Sequence, residues 1–317
     1  MTIGVIDIHH HILPPDYLAT LGERLPPQGL FGVAPVWSPK LAIEAMDRNG
    51  IGVAVTSISA PGVWFGDITE AAGLARDCNE YAAQMVRDYP GRFGFFATLP
   101  LPAIGESLRE IEYALDTLGA AGVVLMTNYD GRYLGEIEFL PVFEELHGRK
   151  AAAFVHPTAG PYENPLPTIP VPSLEFPFET TRTITSLLYS GTFARRHGAR
   201  FIFCHAGGAV PFLAQRIGRL TARPEFKQAV PDGVLSELGR LYFDTALSAN
   251  RFAFDPLLRL VPISNVMFGS DYPHAGEPTL TATLKGLEEL GLTPSDLRAV
   301  KASNATTLFG QFLRKSV

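Results

Sequence analysis

Cysteine is nearly absent: Cys78 and Cys204 are the only two in 317 residues. Two thiols cannot build a disulfide framework or a thiolate metal site, and they read as buried, reduced side chains of a cytoplasmic protein. Basic residues are also in short supply. Lys and Arg number 26 against 32 Asp and Glu, a formal charge of −6. A phosphate backbone demands a basic face, so nucleic acid is excluded as an expected partner. No apolar run is long enough to cross a bilayer, and no basic-then-apolar leader precedes the first strand pattern. No G-x-G-x-x-G opens a helix, and "GAAG" (119–122) is helix-stop chemistry, so no dinucleotide site is expected. Charged residues make up only 18% of the chain, against roughly 25% in typical soluble proteins, which leaves ample apolar material for a large core. No linker or internal repeat divides the sequence, so 1–317 is read as one domain.

What is present is an alternation of short apolar runs with helical patterns. Strand candidates lie at 4–9, 51–59, 93–98, 122–127, 151–156, 200–205, 241–246 and 266–271. They are continuously apolar rather than alternating, as buried parallel strands should be. Helical stretches follow them, as in "SPKLAIEAMDRNG", where Ser38 can cap, Pro39 suits the first turn and Gly50 stops the helix. Eight such units predict an α/β fold, a (β/α)8 TIM barrel, with a doubly wound open sheet as the alternative. The one compositional break, residues 157–177, holds seven prolines directly after a strand. On the strand-end side of a barrel, a stiff segment of this kind is read as a surface loop or as a wall over the active site.

"VIDIHHHILP" (5–14) places three of the eight histidines side by side. Strand alternation puts His9 and His11 on one face and His10 on the other, where a hydrogen bond in the wall suits it. Other strand ends send His156, His205 and Asp271 to the same mouth, and strand seven contributes Asp244. Imidazole nitrogens with a carboxylate oxygen suit Zn, Mn or Fe(II). Asp244 is read as a hydrogen-bond partner of a ligand rather than as a ligand itself.

The pattern resembles the amidohydrolase superfamily. The strand-four segment "VVLMTNYDG" has no lysine to bridge two metals, so the resemblance implies a mononuclear site at the C-terminal strand ends. "DIHHHILPP", "FVHPT", "FCHAGGAVPF" and "FGSDYP" are similar to the aminocarboxymuconate-semialdehyde-decarboxylase-like branch. Within that branch, "SAPG", "RFGFFATLP", "EFPFETTRT" and "YFDTALS" are nearest to the 6-methylsalicylate decarboxylases. The resemblance implies His9, His11, His156 and Asp271 as metal ligands and His205 as a catalytic histidine. Both histidines of H-x-H are kept, which points to Zn, with Mn as the alternative. The first loop offers Arg24 but no match to the branch's carboxylate-binding arginine, which argues against a muconate substrate. Arg223 in "TARPEF" resembles an arginine that enters a neighbouring subunit's site, which implies a homodimer. Trp64, Phe65 and His274 are further candidates for substrate contact, while Arg182 and Thr180 belong to a motif that could simply organise a helix start.

The implied activity is that of a carboxy-lyase, a metal-dependent non-oxidative decarboxylase acting on a small hydroxylated aromatic acid. Asp271 would deliver a proton to the ring carbon that loses CO2, with His205 as relay, or the two roles would be exchanged. The same ligands also suit a metal-dependent hydrolase of a lactone, amide or C–C bond. A non-catalytic metal-binding barrel is the third reading, disfavoured because so many strand-end polar groups are expensive for structure alone.

Overall fold

The computed structural model describes residues 4–24, 34–162 and 166–313. Eight parallel strands follow one another around the sheet: β1 (Val5–His11), β2 (Ile51–Ser57), β3 (Phe93–Thr98), β4 (Gly122–Met126), β5 (Ala152–His156), β6 (Arg200–Phe203), β7 (Tyr242–Asp244) and β8 (Val266–Met267). Neighbours in sequence are neighbours in the sheet. The end of β8 returns to β1: Ile8 N donates to Phe268 O at 3.0 Å and His11 N to Tyr272 O at 2.7 Å. The result is a nearly closed barrel, and the open-sheet alternative is discarded.

Helices follow the strands on the outside: α1 (Pro39–Arg48), α2 (Ile68–Asp88), α3 (Ile104–Glu112), α4 (Leu140–Arg149), α5 (Val171–Tyr189), α6 (Val210–Gly218), α7 (Arg251–Leu260) and α8 (Glu277–Glu289). Their starts follow local chemistry. Ser38 Oγ accepts the N–H of Leu41 at 3.2 Å, Pro39 occupies the first turn, and Gly50 leaves the helix at φ 68°. The helix read near 105–119 is α only to Glu112 and continues as a π-helical turn, Tyr113–Leu118. A short hairpin, Asn128–Tyr129 with Arg132–Tyr133, lies beyond β4 and was not legible as a strand pattern.

Five strand readings ran too long. β2 ends at Ser57, two residues early, and β4 at Met126, one residue early. β6 stops at Phe203, β7 at Asp244 and β8 at Met267, because the next residues leave extended geometry to make tight turns. β1 ran the other way, extending through His11. The proline-rich segment is also corrected: from Val171 it is helix, with Pro172 in the first turn, where its missing N–H costs nothing, and Pro177 inside.

The barrel interior is aromatic below the strand ends. Phe309, from the closing helix Asn304–Leu313, packs on Phe96 at 5.6 Å between ring centroids, and Phe96 stacks on Phe154 at 5.1 Å. Phe154 meets the ring of His9 at 5.1 Å. His156 stands two residues beyond Phe154 on β5, so the same inward face that builds this floor presents the next layer, which is polar.

Candidate metal centre and active site

On that floor four side chains converge. His9 Nε2 and His11 Nε2 are 3.0 Å apart, and Asp271 Oδ1 lies 3.0 Å from the second and 3.4 Å from the first. The ring of His156 closes the group, 5.2 Å from His9 and 4.8 Å from His11 between centroids. One donor atom from each of His9, His11, His156 and Asp271 falls within 4.8 Å of all the others, and all four residues are buried.

The back of each ring is committed. His9 Nδ1 donates to Asp244 Oδ2 at 2.7 Å, His11 Nδ1 faces Ser57 O at 3.3 Å, and His156 Nδ1 donates to Pro157 O at 2.8 Å. With Nδ1 holding the proton, Nε2 of each ring turns a lone pair toward the centre. Two lone pairs 3.0 Å apart repel unless positive charge lies between them. Burial drives His11 down to about 3 and also lowers His156, whose neighbours His11 and His9 add to the effect. Burial opposes a proton on His9 too, but Cys204, Asp244 and Asp271 around it raise its pKa well above the usual value. Burial would raise Asp271, yet His9, His11 and His205 hold it well below the carboxylate range. The site therefore favours positive charge at its centre and keeps a carboxylate ionised beside it. Three nitrogens and one oxygen with their outer partners in place can hold one divalent cation.

His205 and Asp271 stand on strained turns rather than on strands. Their φ angles are 54° and 63°, in the left-handed region, and Ala206 follows His205 at 56°. Such backbone persists only where its surroundings enforce it. Here Asp244 Oδ1 accepts His205 N–H at 2.8 Å, and His9 O accepts Asp271 N–H at 2.8 Å. Asp7 adds a second brace: its carboxylate accepts the Ser270 N–H at 3.0 Å and the Ser270 hydroxyl at 2.5 Å. The other ring of the triplet, His10, turns away from the cluster, its Nδ1 3.1 Å from Asp7 and its ring against Tyr272 at 5.0 Å. Gly269 is required where it stands, since a Cβ there would meet His9 Cβ at 2.7 Å and Asp244 Cβ at 3.0 Å.

The cluster opens into a cavity of about 450 Å³. His156, His205, Asp271 and His274 line its polar side, and Pro172, Phe176, Pro177 and Leu247 its apolar side. His205 Nε2 is 3.5 Å from Asp271 Oδ2, so this carboxylate turns one oxygen to the cluster and the other to His205. The proline-rich segment thus supplies wall, through the first turns of α5.

The remaining sequence candidates lie elsewhere. Trp64 donates its indole N–H to Asp130 Oδ2 at 2.7 Å, a bond that fixes the ring, and Phe65 packs on the hydrophobic core; neither is among the cavity-lining residues. Arg223 is exposed at the start of a short helix, Pro224–Ala229, and is also outside the lining. Arg182 pairs with the buried Glu179 at 2.8 Å, in a network with Tyr162. The Arg24 side chain and residues 25–33 lie outside the described residues. Sequence reading passed over Asp7, Ser59, Phe176, Leu247 and Ser248. All five lie inside the segments that carried the resemblance, which gave them no individual role; Asp7, a carboxylate inside an apolar strand, stood out by its chemistry as well.

Residues 6–311 match the amidohydrolase family. The chain belongs to the amidohydrolase family. Among this amidohydrolase's relatives is the decarboxylase macB of Penicillium terrestre, 35% identical over 97% of this chain and 95% of that protein. The 6-methylsalicylic acid decarboxylase of Penicillium expansum is also 35% identical, over 96% of this chain and 95% of its own length. A crystal structure described as amidohydrolase II superposes with a TM-score of 0.92 at 28% identity, covering 96% of this chain and 99% of that one.

Proposed function

We propose that this amidohydrolase is a metal-dependent, non-oxidative decarboxylase of a hydroxylated aromatic carboxylic acid of the 6-methylsalicylate type. The observation that carries the reading is the pairing of His205 with the outer oxygen of Asp271 at 3.5 Å, beside three buried imidazoles on the floor of a substrate-sized cavity. Decarboxylase relatives that align over nearly the whole chain support it.

Held by His9, His11, His156 and Asp271, a divalent cation (Zn, with Mn as the alternative) would supply Lewis-acid stabilisation to the substrate's carboxylate and neighbouring hydroxyl oxygens. The protein's own groups do the rest. Phe176, Leu247 and the proline wall seat the ring and exclude water from its face. His205 passes a proton to Asp271 Oδ2, which delivers it to the ring carbon bearing the carboxylate. The bond from that carbon to the carboxylate then breaks, its electron pair restores the aromatic ring, and CO2 leaves.

The finer reading is one catalytic domain over 1–317, acting in the cytoplasm as a homodimer. Phe212 on α6 and Phe252 on α7 are 84% and 96% exposed, and helices α6 and α7 pack on each other, an apolar face suited to a second copy. Among the described residues no helix is long and apolar enough to cross a membrane.

The test is mass spectrometry of Zn- and Mn-loaded protein incubated with 6-methylsalicylate. Loss of CO2 to give m-cresol, abolished by chelator, is the expected result. His205→Ala and Asp271→Asn, still metal-loaded, should each lose at least about 100-fold in turnover. An unchanged acid would overturn the 6-methylsalicylate assignment and move the search to another carboxylic acid or to hydrolysis, with lactones tested next.

A further inference from the structure

Ser59 carries a hydroxyl that no described residue uses. The residue is 2% exposed, yet its Oγ has no hydrogen-bond partner among the described residues and it lines the cavity. Its backbone is otherwise committed: Ser59 O accepts the Gly62 N–H at 3.0 Å and the Tyr17 hydroxyl at 3.3 Å. Two residues earlier, at the end of β2, Ser57 O braces Nδ1 of His11. Ser59 therefore stands two residues beyond a brace of the cluster and lines the cavity that His156 and Asp271 also line. Buried hydroxyls are nearly always paired, and leaving one without a partner destabilises the fold unless a ligand completes it.

The rest of the lining says what kind of ligand. Among the described residues that line the cavity there is no lysine or arginine; the polar groups besides the histidines and Asp271 are the hydroxyls of Ser59, Ser173, Ser248 and Thr279. A second carboxylate on the substrate would be buried without a counter-charge, whereas a neutral hydroxyl meets a partner. We propose that Ser59 is a specificity-determining residue, hydrogen-bonding the ring hydroxyl of a monocarboxylic phenolic acid. This rests on the decarboxylase reading for the substrate class and adds the group that recognises it.

The experiment compares two acids that differ by one oxygen, 6-methylsalicylate and 2-methylbenzoate, on metal-loaded wild type, Ser59→Ala and Ser59→Thr. Dissociation constants come from calorimetry and kcat/KM from CO2 release. Ser59→Ala should weaken 6-methylsalicylate by roughly 10- to 100-fold and leave 2-methylbenzoate within about 2-fold, with Ser59→Thr recovering most of the loss. Because the hydroxyl serves the ligand and not the fold, Ser59→Ala should keep or raise Tm. Equal losses for both acids, no loss for either, or a lowered Tm would overturn the assignment. If wild type binds the acids but turns neither over, the decarboxylase reading falls while the ratio of dissociation constants still decides Ser59. If neither acid binds at millimolar concentration, both fall.

Discussion

Asp244 Oδ2 lies 2.7 Å from Nδ1 of His9. The opposite oxygen of the same buried carboxylate accepts the His205 N–H at 2.8 Å. One side chain from β7 thereby orients a ring of the donor cluster and holds the turn that carries its proton-handling neighbour.

Replacing Asp244 with Asn should therefore weaken the cation site without removing a ligand. Outer partners of ligating histidines are worth about 10- to 100-fold in metal affinity, and that is the expected loss for Asp244→Asn. Competition with a chromophoric chelator measures it, and an unchanged affinity would disconnect Asp244 from the site.

Cation binding should also stabilise the fold, since the four donors converge only in the folded chain. A ligand at about 100 times its Kd adds about 2.7 kcal/mol, which for a barrel of this size corresponds to a rise in Tm of about 4 °C. Calorimetric scans of chelator-treated protein with and without Zn or Mn test this, and identical transitions would contradict it.

Leu247 lines the cavity with φ at 54°, a conformation that costs a residue with a Cβ about 1–2 kcal/mol. Leu247→Gly and Leu247→Ala both remove the apolar contact, but only glycine relieves the backbone. Both variants should lose several-fold in kcat/KM, while the glycine variant melts above the alanine variant by about 1–2 °C, on the order of 1 kcal/mol. Thermal scans alongside kinetics separate the two effects; equal melting points would remove the argument from strain.

The two cysteines should be silent in the native protein. Burial raises the Cys78 thiol and pushes Cys204 up to about 12. The reactive species is the thiolate, so alkylation of native protein should not accelerate between pH 7 and 9, where an ordinary thiol with pKa near 8.5 would. Both thiols should react once denaturant is added. Rapid labelling of the folded chain would show that one of them is open to solvent.

The barrel was legible because buried parallel strands are written as unbroken apolar runs, and the (β/α)8 order follows from counting them. The cluster was legible for a related reason: His9, His11 and His156 occupy the last positions of their strands, where barrel geometry sends side chains to one mouth. Trp64 shows what the sequence left open, because an aromatic residue beyond a strand suits a substrate wall, and only the structure reveals the bond to Asp130 that fixes its ring outside the cavity lining. Ser59 opens the segment "SAPG", which spoke for kinship, but the role of its hydroxyl was not legible, since a serine in a turn is ordinary until its neighbours are known.

The sequence by itself determined what repeats locally: the strand and helix order, the helix caps and the i, i+2 spacing of His9 and His11. Those depend on residues a few positions apart, so they survive without a fold. Only the tertiary structure decided how His205 and Asp271 turn away from their strands, which carboxylate braces which ring, and which residues face the cavity. Asp244 reaches His9 across 235 positions, and the Asp7 carboxylate reaches Ser270 across 263. Contacts of that range leave no periodicity in the chain, because they are set by the closure of the barrel and not by any neighbour in sequence.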